Sequence, residues 1–150
     1  MHHSFKPGHI FGIDFDGTCV NHAFPEMGED CPGAVDVLKK IVAAGGKLVL
    51  WTMRSNTTES PVIEDPTLIK CGADSFLDHA IKWFSDRDIP LWGIQENPTQ
   101  KAWTSSPKAY CHTYIDDAAL GCPLLFNLDF SSRPYVDWAA VDAIIFPENK

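Results

Sequence analysis

Asp14 and Asp16 stand one residue apart at the end of an apolar run, HIFGIDFDGTC, and Asp116 and Asp117 end a second run, AYCHTYIDD. Asp-Gly read alone is also a common tight hairpin turn, and paired acids also open solvated helices. On an extended segment, acids at i and i+2 project the same way. A cluster of four carboxylates is unstable unless protons or a cation offset its charge. Oxygen ligands suit a hard cation, with Mg²⁺ the usual choice beside phosphate. The histidines and cysteines show no spacing typical of a zinc site. Two carboxylates and Mg²⁺ suit phosphoryl transfer: one aspartate attacks phosphorus, and a second acid protonates the leaving group and then activates water. A hydroxyl such as Thr52 and a cation such as Lys108 would hold the phosphoryl oxygens. Arg54 would reach a substrate anion or serve as an exposed structural residue. Thr52 would otherwise satisfy backbone groups at a strand end, and Lys108 competes with Lys101 for its role.

Such residues need elements to position them. Residues 9–15 and 47–51 (KLVLW) are short apolar runs that read as buried strands. Between them Val35, Leu38, Ile41 and Val42 recur at helical spacing, and Gly45-Gly46 ends that helix. A second helix opens at Ser75 with Leu77, Ala80, Ile81 and Phe84 as its stripe, and Pro90 stops it. LWGI and residues 109–115 read as a third and fourth strand, PLLFNL as a candidate fifth, and Asp137 as the cap of a last helix. This alternation implies an α/β fold, a Rossmann-like three-layer α/β/α sandwich on a central parallel sheet. Ligands of such sheets bind at the carboxyl ends of the strands, where Asp14, Asp16, Thr52, Asp116 and Asp117 all fall.

At these residues the sequence resembles the haloacid dehalogenase superfamily. Its first motif, Asp-x-Asp-Gly-Thr, corresponds to Asp14-Phe15-Asp16-Gly17-Thr18. The second, a Ser or Thr ending the next strand, corresponds to Thr52. The third, a lysine, corresponds to Lys108, and the fourth, an acidic pair, to Asp116-Asp117. The resemblance spans roughly residues 9–125. It implies that Asp14 is the nucleophile and Asp16 the general acid/base. Asp14, the backbone carbonyl of Asp16 and Asp116 would hold Mg²⁺, with Asp117 as a further ligand or as a partner of Lys108. Asp at position 16 resembles the phosphatases and phosphomutases of the superfamily, and the chain has little room for the cap domain a mutase needs. The expected protein is one capless hydrolase domain over 1–150, with a flap at 19–32 and a partial lid at 55–73. His22 lies in that flap. A non-catalytic binder of phosphorylated ligands is the alternative.

The bulk properties fit one globular domain whose acidic balance requires local help, such as a metal ion, a lysine or exposed backbone N–H groups, to handle phosphates. The 150 residues are 45% hydrophobic, enough for one core. A net charge of −8 opposes loose binding to nucleic acid or anionic membranes. The five cysteines are odd in number and never spaced Cys-x-x-Cys, so reduced thiols in a cytoplasmic protein are expected. No run approaches the roughly 20 apolar residues of a membrane span, and the first residues do not resemble a signal peptide. Oligomeric state is not encoded legibly.

Overall fold

The structure is a computed structural model that describes residues 3–56 and 75–147. Strand β1 (Ile10–Ile13) lies at the heart of a parallel sheet. It pairs with β2 (Lys47–Leu50) on one side and β4 (Thr113–Ile115) on the other, and β3 (Gly93–Ile94) adds to β2. The order is therefore β3-β2-β1-β4. The chain advances outward from β1 to β2 to β3, then returns across the sheet to the far side of β1. The order reverses between β1 and β4, and a crevice opens at the carboxyl ends of strands at such a switch point.

Alternation along the strands divides the core. Phe11, Ile13, Leu48, Leu50 and Ile115 share one buried cluster with residues of all three described helices, α1 (Ala34–Ala43), α2 (Phe76–Asp86) and α3 (Trp138–Ile145). Ile10 and Val49, which alternate with them, join Ala109, Cys111, Trp92 and Tyr114 in a second cluster. This α/β arrangement is the expected one. The β3-to-β4 connection, which supplies the cover on that second side among the described residues, contains only a 3₁₀ turn at Gln100–Ala102.

Local signals explain the element ends. Helix α1 buries Ala34, Val37, Leu38 and Ile41, while Val35 and Val42 are only partly covered, so the inward stripe is rotated toward Val37. Helix α2 begins after Ser75, and its first N–H groups are capped from outside: Asn56 Oδ1 accepts from Leu77 N and Asp78 N, each at 3.1 Å. Asp137 caps α3 as expected, its side chain accepting from Ala140 N at 3.1 Å. PLLFNL contributes only β5 (Leu124–Leu125), which pairs antiparallel with β6 (Tyr135–Val136) outside the main sheet. The partial lid expected at 55–73 lies outside the described residues, apart from Ser55 and Asn56.

Candidate active site

Strand β1 ends at Ile13, and Asp14 N still donates to Ile115 O at 3.0 Å. That pairing carries Asp14 to the end of β4, where Asp116 and Asp117 follow. One carboxylate oxygen from each of the three acids lies within 4.8 Å of the others. Phe15 turns the other way into the core, fully buried and edge-on to Trp83 at 5.7 Å. Gly17 then reverses the chain at φ 84°, a conformation that favours glycine, and a Cβ there would collide with His22 and Asp117.

Thr18 knits the two acidic ends together. Its buried hydroxyl donates to Asp14 Oδ2 at 2.9 Å and accepts from Asp117 N at 3.2 Å. Its carbonyl accepts from Trp138 Nε1 at 2.7 Å, which ties the turn to α3. His22 Nε2 lies 3.0 Å from Asp117 Oδ2 and 3.2 Å from Pro134 O. Because a carbonyl only accepts, and the carboxylate accepts too, Nε2 is the protonated nitrogen.

The crowding has an electrostatic consequence. Burial, the Asp117 carboxyl beside it and the charge of Asp116 push Asp14 up to about 8, against the opposing hydrogen bond from Thr18. Burial also raises Asp116, partly offset by the N–H of Ala118. Carboxyls raised in this way are short of positive charge. The three oxygens form a donor set without nitrogen or sulfur, which suits a hard divalent cation. Asp14, Asp116 and Asp117 are the residues that would hold it. The Asp16 side chain is not in that set.

Asp16 is held instead by Arg54. The guanidinium donates from Nε to Oδ2 and from Nη2 to Oδ1, each at 2.8 Å, and from Nη2 to Glu26 O at 2.9 Å. It lies between the Phe15 and Phe24 rings, 5.1 Å from each centroid. Arg54 is only 2% exposed. The expectation that Arg54 meets a substrate anion is corrected: nearly all its donors are spent on Asp16 and on backbone carbonyls. Thr52 does reach the site, and its hydroxyl also accepts from Arg54 N at 3.1 Å. The strand-end loop is braced by Gln95, whose amide accepts from Thr52 N at 2.9 Å and donates to Thr52 O at 2.7 Å.

Lys108 is the second correction. Its Nζ sits over the Tyr114 ring at 5.5 Å from the centroid, among the residues that cover the opposite face, and it does not line the acidic cavity. Lys108 lies five residues before β4 begins at Thr113, whereas the acids follow that strand's carboxyl end. Lys101 is turned to Glu96, at 3.2 Å, and is equally absent from the cavity.

The cavity is about 380 Å³ and joins Asp14, Asp16, Thr52, Arg54, Asp116 and Asp117 with His22, Phe24, Met53 and Arg133. A larger hollow of about 500 Å³ lies between α2 and β3, where apolar side chains such as Ile81, Phe84 and Ile89 line it. It holds no comparable acid cluster among the described residues. The segment 19–32, expected as a flap, is rooted by Cys31 N to Cys19 O and Asn21 N to Glu29 O, both 2.8 Å, with Phe24 and Met27 exposed toward its tip. His22, Gln95 and Arg133 were not singled out as site residues from the sequence. All three sit in irregular segments with no periodic signal.

The chain is similar in structure to the conserved protein coded by a locus from Bacteroides thetaiotaomicron. The TM-score is 0.65 at 26% identity, over 95% of this chain and 93% of that chain. The likeness is one of fold across nearly the whole length. No family model and no curated protein matches the chain. Among the described residues, no helix is long and apolar enough to cross a membrane.

Proposed function

We propose that this protein is a Mg²⁺-dependent phosphomonoester hydrolase of haloacid dehalogenase type, acting through an aspartyl-phosphate. The observation that carries the reading is the convergence of Asp14, Asp116 and Asp117 from two adjacent strand ends, with Asp16 two residues beyond Asp14 in the same cavity. Bound to that trio, Mg²⁺ would supply positive charge that lowers the repulsion between carboxylate and phosphoryl group. Asp14 attacks phosphorus, an Asp14–phosphorus bond forms, and the ester oxygen leaves with a proton from Asp16. Asp16 then takes a proton from water as that water attacks phosphorus, and orthophosphate departs from Asp14. Thr52 offers its hydroxyl proton to a phosphoryl oxygen. The free thiols Cys19, Cys31, Cys111 and Cys122 suit a reducing cytoplasmic setting.

The Arg54–Asp16 pair favours a second reading, a binder of phosphorylated ligands without turnover. An acid whose two oxygens both accept from a guanidinium must leave it before it can give a proton. A phosphatase assay over a panel of phosphomonoesters with Mg²⁺ separates the two, run beside Asp14→Asn and Asp16→Asn. Turnover that both substitutions abolish is the expected result. Activity surviving Asp14→Asn would sink the covalent route. Binding of both Mg²⁺ and a phosphorylated ligand with no turnover of any ester would favour the binder.

A further inference from the structure

Two side chains of permanent positive charge line the cavity among the described residues, Arg54 and Arg133. The first is committed to Asp16. Arg133 is exposed, has no carboxylate partner among the described residues, and lies against the same space as Asp14, Asp116 and Asp117. Its place is not that of a loose surface residue. The backbone on both sides of it is strapped to the turn that follows Asp16. Pro134 O receives His22 Nε2 at 3.2 Å, Phe130 O receives Asn21 Nδ2 at 2.6 Å, and Val136 N donates to Gly17 O at 3.0 Å. The same His22 nitrogen reaches Asp117. Arg133 is thus delivered to the rim by a segment tied directly to the acids.

Charge says what it is for. Once Arg54 has offset Asp16, three carboxylates remain, and one divalent cation leaves them with a single excess negative charge. A phosphoryl dianion approaching that site is repelled unless another cation joins. Lys108 and Lys101 are elsewhere. We infer that Arg133 is the substrate-binding cation of this site and takes the phosphoryl oxygens of a phosphorylated ligand. The inference rests on the phosphoryl chemistry proposed above. It moves the cationic contact to the segment after the second acidic pair. A guanidinium suits the task because its planar donors match phosphoryl oxygens two at a time.

The test is titration calorimetry of the full chain, with Mg²⁺ alone and then with inorganic phosphate at saturating Mg²⁺. Arg133→Ala is expected to weaken phosphate binding about tenfold or more, as loss of a charge-assisted hydrogen bond does. Mg²⁺ binding should be unchanged or tighter, since removing a positive charge cannot repel the cation more. Arg133→Lys should recover part of the loss, and Lys108→Ala none of it should incur. Because Arg133 is exposed, the thermal unfolding midpoint should stay put. Phosphate binding that depends on Arg133 in a protein that hydrolyses no ester would support this inference while the hydrolase reading fails. Phosphate affinity equal in wild type and Arg133→Ala would overturn it, as would a wild-type protein that binds Mg²⁺ but no phosphate.

Discussion

Arg54 grips both oxygens of Asp16 at 2.8 Å, across 38 residues of sequence, from a site that solvent scarcely touches. The pair joins three pieces of the molecule, because the same guanidinium reaches Glu26 O in the 19–32 segment and, at 3.5 Å, Phe76 O at the start of α2. Asp16 is therefore placed by the fold before any ligand arrives. Arg54→Ala leaves a carboxylate and two carbonyls without their donor. A loss of about 3 kcal/mol is expected, at the low end for a broken buried pair because Asp16 is partly exposed. Urea unfolding measures it. If turnover is present, Arg54→Lys should also lower it, since a lysine cannot hold both Asp16 oxygens in the same plane.

Gly17 allows no side chain. Its φ of 84° disfavours a Cβ, and that Cβ would meet His22 and Asp117. Gly17→Ala is expected to cost more than about 1 kcal/mol, the scale at which alanine at positive φ outweighs its benefit to the unfolded chain. It should also displace Asp117, so Mg²⁺ affinity by calorimetry should fall with stability. Unchanged Mg²⁺ affinity in a folded Gly17→Ala protein would count against Asp117 as a ligand.

Much of this was legible along the chain for a definite reason. Acids at strand ends announce themselves, because an apolar run of strand length fixes where the end lies and the parallel sheet brings ends together. Asp14, Asp16, Asp116, Asp117 and Thr52 all line one cavity on that logic. Helices were readable from their stripes, although α1 turned Val37 inward in preference to Val35 and Val42. The cations were not readable. Lysine and arginine have long stems, and their partners are settled by what lies across the fold: Asp16 for Arg54, the Tyr114 ring for Lys108. Gln95 braces the strand-end loop from a left-handed conformation, φ 63°, for which its residue type gives no warning.

Thr18 shows how far a buried hydroxyl can reach. Thr18→Val keeps the shape and removes the donor to Asp14 and the acceptor for Asp117 N. Each orphaned polar group costs about 1–3 kcal/mol, the Asp14 side less because its protonation state can adjust. Partners that orient metal ligands typically contribute about 10–100-fold to metal affinity. The expected result is weaker Mg²⁺ binding of that order, read by calorimetry, in a protein that still folds.

The raised carboxyl of Asp14 gives stability a pH dependence whose sign is unusual for an acid. Its folded-state value is pushed up to about 8 from an ordinary 3.8, so the folded protein holds this proton where the unfolded chain has lost it. The stabilisation is present below the unfolded value and is lost as pH rises through that window. Metal-free protein should therefore melt at progressively lower temperature between pH 5 and pH 8, a range inside that window. Asp116, also raised, adds in the same direction. Mg²⁺ bound at the proposed site would compete with the proton for the same oxygens. Its stabilising effect should accordingly grow with pH, approaching about 2.7 kcal/mol at a hundredfold excess over its dissociation constant. Asp14→Asn removes the charge, so the slope should flatten and the Mg²⁺ response shrink together. Thermal melts of both proteins with and without Mg²⁺ across that range decide it. A slope that persists undiminished in Asp14→Asn would assign the effect to other groups.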